Sequence, residues 1–400
     1  MNRYYSLLRE EHILRQLSII QLIAYFGAWF SNVAIYTLLI EMEVSASVIA
    51  LTAAMHFLPG VLQAPFSGVI IDKFEPKKVM LWLIGIEIVA TLFLVSITKE
   101  ADLPFLFLLI FLRMGASSFY FTLEMALLPR ILKPKQLQLA NEIHSIIWSL
   151  SYTFGMAISG FVVYQVGVSI AFILDALLFV IAFVLLLRLS LHVKTNKTDS
   201  NFIKMMQETI TYIMQNPLVL YLLILHSFVG MTAYDALVAL MVEQFYASVI
   251  ATSLALGLMH TSRAIGLVIG PILIGKYLNT QRLTYLLLFQ ATSLFLWAAV
   301  VENFYLSLLA SIIVGLGTTT LWSYTYTLLQ HNIDEHFYGR VVAYNDMLFL
   351  LMAALTSLFI GFLAELGISI MLITIILGCG FIIATLFYIF ILKRFTLKEL

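Results

Sequence analysis

Arg113, Ser117, Tyr120 and Glu124 follow one another at i, i+4, i+7 and i+11 inside an apolar run, 103–128. That spacing sets all four on one stripe of a helix. With about 1.5 Å of rise per residue, Glu124 lies about 16 Å along the axis from Arg113, too far for a direct bond. A guanidinium and a carboxylate inside an apolar segment are costly, and they face a cavity or an opposite charge. There they can hold a polar ligand or take up and release a proton. Other runs carry neutral stripes: Gln21, Tyr25 and Asn32 in 16–40, and Thr320, Tyr324 and Thr327 in 303–327. Polar bonding between helices is the alternative use for such residues. His226, His260 and Asp346 also lie in apolar runs and, with Glu124, are the candidates for proton transfer.

Other chemistry finds no support in the residue pattern. There is no His-Glu-x-x-His, no Gly-x-Ser-x-Gly and no paired metal-ligand cluster, so neither a metal site nor an enzyme is expected. Gly266, Gly270, Pro271 and Gly275 lack the Lys-Ser/Thr pair of a phosphate loop. They read as close packing in a flexible helix, and ATP is not expected as an energy source. No cofactor is called for. Zero net charge gives no general attraction to nucleic acid. One cysteine, Cys379, allows no internal disulfide.

The elements that position these residues are membrane helices. Of the 400 residues, 62% are hydrophobic and 11% charged, and mean hydropathy is +1.00. A soluble domain of this size cannot hide that much apolar surface, whereas lipid solvates it. Each crossing needs about 20 apolar residues. The runs are continuous rather than alternating, which favours helices over a barrel. Charges and turn residues divide the chain into twelve spans, at 16–40, 47–71, 78–98, 103–128, 137–164, 167–190, 217–240, 249–275, 282–300, 303–327, 340–364 and 367–392. A polar stretch at 191–216 separates two halves, 1–190 and 217–400. The fold class is therefore an all-α integral membrane protein in two six-helix halves.

Basic residues set the orientation. With the N-terminus inside, 19 of the 22 Lys and Arg residues fall in cytoplasmic segments, and only Lys99 falls outside. An odd number of spans would destroy this asymmetry, so both termini are expected in the cytoplasm. The halves also resemble each other at an offset of about 200 residues. Gly115-Ala116-Ser117-Ser118 matches Gly317-Thr318-Thr319-Thr320, and Lys73-Phe74 matches Lys276-Tyr277. Parallel repeats of this kind are an architecture for alternating access.

The run Gly68-Val69-Ile70-Ile71-Asp72-Lys73-Phe74-Glu75-Pro76-Lys77-Lys78 resembles the loop 2–3 signature of the major facilitator superfamily. ALLPRILKPKQLQLANEIHSIIWSLSYTFGMAISG is similar to the span 4–5 region of the branch containing the enterobactin exporter and macrolide efflux proteins. LLQHNIDEHFYGRV resembles its loop 10–11. Met156 departs from that pattern, standing where antiporters carry the proline of a span 5 Gly-Pro motif. The resemblance implies the major facilitator fold, with spans 1, 4, 7 and 10 lining a substrate cavity. The stripes of Gln21, Arg113 and Thr320 would then face it. Glu87 and Asp175, in spans 3 and 6, would be peripheral and structural. Gly68, Asp72, Lys73, Lys77 and Lys78 would form a cytoplasmic gate, with Asp72 latching onto the positive N-terminus of span 11.

These readings lead to one expectation. The chain is a monomeric, proton-coupled antiporter of a bacterial cytoplasmic (inner) membrane, and it exports small amphipathic molecules by alternating access. Its partners are a small-molecule substrate, protons and the lipid bilayer. An importer of a metabolite or siderophore with the same fold is the alternative. A non-transporting membrane receptor or assembly factor would need neither charge in the cavity.

Overall fold

The computed structural model describes residues 2–191, 202–334 and 336–397; of residues 2, 65, 68, 69, 71–73, 134, 138, 202, 203 and 276 it describes the backbone only. The described chain is helical throughout. It runs α1 (Asn2–Glu10), α2 (His12–Glu41), α3 (Ala46–Met55), α4 (Leu58–Lys73), α5 (Pro76–Leu94), α6 (Leu103–Ile131), α7 (Pro134–Val166) and α8 (Val168–Arg188). It continues with α9 (Phe202–Gln215), α10 (Pro217–Ser227), α11 (Asp235–Met241), α12 (Thr252–Ile274), α13 (Leu283–Val300), α14 (Phe304–His331), α15 (Tyr338–Glu365) and α16 (Ile370–Arg394). Prolines open α5, α6, α7 and α10, where the missing amide hydrogen costs nothing. Gly167, at φ +81°, separates α7 from α8 in a backbone region that disfavours other residues.

Among the described residues, 11 helical stretches are long and apolar enough to cross a membrane. α5 stands outside that number because Lys77, Lys78 and Glu87 charge it, yet it is a 19-residue helix of otherwise apolar sequence. With it, the count agrees with twelve.

The chain divides into two compact units, Met1–Met42 with Leu62–Asp199, and Glu43–Val61 with Ser200–Leu400. In the first, α2 packs on α7 and α8, and α5 packs on α6 and α8. In the second, α12 packs on α14, α13 on α16 and α14, and α15 on α3. The second unit thus takes in a piece of the chain's first half. Small residues explain this: Gly361 of α15 lies against Ala50 of α3, and the Ser47 amide of α3 donates to Glu365 Oε1 at 3.1 Å. Span 2, expected as one helix, is interrupted at His56 and Phe57, just before Pro59.

Span 7 is broken as well. α10 passes into a 3₁₀ turn, Phe228–Thr232, before α11, which ends in a π turn, Val242–Tyr246. Irregular backbone at membrane depth needs partners within the protein. Arg263 supplies one, its Nη2 donating to the Thr232 carbonyl at 2.6 Å.

Candidate transport site

In the first unit, α6 brings Arg113 to a buried cluster. Its Nη2 donates to Asp175 Oδ2 at 2.9 Å and to the carbonyls of Gly27 at 2.9 Å and Ala28 at 3.2 Å. Its Nε donates to Thr91 Oγ1 at 3.1 Å, and the guanidinium stands 5.7 Å from the Phe179 ring centroid. Four helices hold it: α2, α5, α6 and α8. Ser31 of α2 also donates to Asp175 Oδ2. Gly27 permits this closeness, since a Cβ there would lie 2.5 Å from Asp175 Oδ1. Glu87 of α5 joins the group within electrostatic reach of Arg113 and Asp175, and Ser117 hydrogen-bonds to it. Glu87, Arg113 and Asp175 are 2%, 1% and 0% exposed.

Glu124, on the same stripe of α6, belongs to a different group. Tyr25 Oη donates to its Oε2 at 3.3 Å. Among the described residues no basic side chain forms an ion pair with it. Tyr25 stacks on Phe121 with centroids 6.1 Å apart, and the His144 ring meets both edge-on, at 5.9 and 4.8 Å. Gln21 Nε2 lies 2.5 Å from His144 Nδ1. A buried carboxylate is thus bonded to one member of a three-ring cluster. On α7, Trp148 and Tyr152 stack 5.7 Å apart, and Trp29 of α2 meets both edge-on. Farther along, Tyr4 of α1 donates to Glu142 Oε2 of α7 at 2.9 Å, and that bond pushes the Tyr4 hydroxyl's pKa above its usual value.

The second unit holds two polar groups. His226 Nδ1 lies 2.8 Å from Thr325 Oγ1, among the rings of Trp322, Tyr326 and Phe349. His260 Nδ1 lies 3.6 Å from Asp235 Oδ1, and Arg263 rests 5.0 Å from the Tyr234 ring centroid. Gly266 lets α12 and α14 meet backbone to backbone, because a Cβ there would run into the Ile312 carbonyl oxygen.

A model of the Major Facilitator Superfamily matches residues 17–357. The chain belongs to that superfamily. Macrolide efflux protein A of Streptococcus pyogenes is 25% identical over 326 residues, covering 78% of this chain and 79% of that protein. The protein of the same name from Enterococcus faecalis is 26% identical over 315 residues, covering 74% of this chain and 94% of that one. Among solved structures, a bacterial homologue of the human lysosomal transporter Spinster aligns with TM-score 0.77 at 12% identity, over 96% of this chain and 97% of that one. The nucleoside transporter NupG aligns with TM-score 0.73 at 13% identity, over 95% and 99%. At such identities these two show the fold alone; it is membership of the Major Facilitator Superfamily that makes the chain a transporter and not an enzyme.

Within this major facilitator chain the expected residues separate into distinct groups. Arg113 and Ser117 meet Glu87 and Asp175, whereas Glu124 meets Tyr25, and Tyr25 and Gln21 meet His144. Tyr120 and Asn32 are buried. Thr320 and Thr327 spend their hydroxyls on carbonyls of their own helix, those of Leu316 and Ser323, and Tyr324 is half-buried. Asp346 is exposed. In the gate segment, the side chains of Gly68, Asp72 and Lys73 lie outside the described residues. Lys77 Nζ donates to the Leu187 carbonyl at 3.0 Å, and Lys78 pairs with Glu75 at 2.8 Å on the surface.

Residues that sequence reasoning passed over carried the same signal as the Arg113 stripe. His144, Trp148 and Tyr152 stand at i, i+4 and i+8 on α7, and Thr91 stands four residues after Glu87 on α5. Trp322 and Tyr326 repeat that spacing on α14.

Proposed function

We propose that this chain is a proton-coupled exporter of small amphipathic molecules. The observation that carries the proposal is Glu124: a buried carboxylate, without a basic partner among the described residues, bonded to Tyr25, whose ring packs with Phe121 and His144. An unpaired charge in the hydrocarbon region is costly. Such a group keeps a proton until something else offsets its charge. The neighbouring rings offer faces and edges to a flat or amphipathic substrate. Proton and substrate then compete for one place, which is the logic of antiport. The two efflux proteins among its relatives, both from bacteria, support export and a bacterial cytoplasmic membrane. The distribution of Lys and Arg supports cytoplasmic termini. The Gly68–Lys78 segment acts as the cytoplasmic gate in this reading, and a monomer suffices.

The test is flux in proteoliposomes with a defined orientation. Where the extracellular face looks into an acidified lumen, substrates from an amphipathic library should accumulate in the lumen. Collapsing the gradient should stop uphill movement and leave downhill exchange. Accumulation that ignores the gradient, or requires the opposite one, contradicts the proposal.

A further inference from the structure

The Arg113 cluster holds two acids and one base. If all three were ionised, a surplus negative charge would lie in a fully buried place, where charge without compensation is costly. The two carboxylates are not treated alike. Asp175 accepts from both Arg113 and Ser31 through its Oδ2. Glu87 has only the Ser117 hydroxyl, and its Oε1 has no hydrogen-bond partner among the described residues. Two further buried atoms of the same cluster are likewise without partners: the donor Arg113 Nη1 and the acceptor Asp175 Oδ1. Buried polar atoms in folded proteins are nearly always paired. Unused donors and acceptors within one cluster mark an arrangement with a second set of bonds available to it.

Every element packed around Glu87 adds to the charge balance. α2 contributes the carbonyls of Gly27 and Ala28 and the Ser31 hydroxyl, all neutral. α5 contributes Thr91, and α8 contributes Asp175 and the Phe179 ring. α6 contributes Arg113 and Ser117, and also Tyr120, which lies within electrostatic reach of both Glu87 and Glu124. No second base is present among these groups. A proton on one carboxylate balances the site without displacing a side chain.

We propose that Glu87 is a proton-binding site of this transporter and that Arg113 is its switch. With the proton on Glu87, Arg113 stays on Asp175, as seen here. When Glu87 gives its proton to water, its carboxylate draws Arg113 Nη1, and the hold on Asp175 loosens. Since α2, α5, α6 and α8 all meet at Arg113, the change alters how these helices pack. The site extends the reading of the chain as a transporter, but it does not require Glu124 to be the coupling group.

The test needs no substrate. In the full-length protein reconstituted in lipid, infrared difference spectra at neutral pH should show the carbonyl stretch of a protonated carboxylic acid. Glu87→Gln should remove one such group, and Glu124→Gln, measured alongside, removes only its own contribution. Asp175→Asn provides a second route that leaves Glu87 intact. It frees Arg113 for Glu87, so the Glu87 acid signal should be lost although the residue is still present. Proton counting by indicator dye in a pH jump should give one proton fewer per molecule for either variant. An acid band and proton count unchanged in Asp175→Asn would overturn the proposal, as would the same result in a folded Glu87→Gln protein.

Discussion

Among the described residues each unit buries one arginine, and the two are held in opposite ways. Arg113, in the first unit, meets a carboxylate, a threonine hydroxyl and two backbone carbonyls, with a second carboxylate within reach. Arg263, in the second, rests on one carbonyl of a broken helix and on the face of Tyr234. The first arrangement balances charge against charge and leaves an acid over. The second satisfies backbone that a helix would otherwise have satisfied. Among the described residues the buried acids, Glu87, Glu124 and Asp175, all lie in the first unit; the second buries two histidines, His226 and His260, and no acid. On the proposed function the difference divides the labour: proton chemistry at carboxylates in one unit, a break in span 7 held open in the other.

The largest effect should come from breaking the ion pair. Arg113→Ala leaves Asp175 charged and alone inside the unit, a loss of about 3–5 kcal/mol. Thermal melts in detergent should show severe destabilisation and poor expression. Asp175→Asn should be milder, because Glu87 can take over the guanidinium. Equal losses for the two variants would mean that Glu87 is no alternative partner.

A smaller loss is expected in the second unit. Arg263→Met keeps most of the side-chain bulk but leaves the Thr232 carbonyl without its donor, at about 1–3 kcal/mol. Hydrogen exchange should accelerate locally around residues 228–234. If the loss matched that of Arg113→Ala, the contrast between the two arginines would fail.

The smallest effect sharpens the account of Arg113. Thr91→Val removes the acceptor for Nε and should cost about 1 kcal/mol, with the ion pair intact. Its melting temperature should fall between those of the parent and Asp175→Asn.

Much of this was legible in the chain itself. The apolar runs and the one-sided Lys and Arg announced a membrane protein, because lipid rewards long apolar helices and topology follows basic residues. Arg113 stood out because a charge in such a run demands a use. Asp175 stood out too, but as a peripheral structural residue and not as the partner of Arg113: it lies 62 positions away in the chain, and helix periodicity says nothing of which stripes meet. The same holds for Gln21 and His144, which packing brings together from α2 and α7. The break in span 7 was also hidden. Phe228-Val229-Gly230-Met231-Thr232 is as apolar as the helices around it, and the cause of its irregular path includes Arg263, an arginine on another helix.

In the proposed function proton and substrate compete at Glu124, and Glu124→Gln removes one of the two competitors. The amide keeps the shape and the bond from Tyr25 but cannot exchange a proton. Substrate binding should be measured across a range of pH on either side of neutrality, for parent and variant, with flux alongside. The parent's affinity should fall as the medium is acidified, the variant's affinity should ignore pH, and the variant should exchange substrate downhill without concentrating it. A Glu124→Gln protein that keeps the parent's pH dependence and still concentrates substrate would place the proton elsewhere than at Glu124.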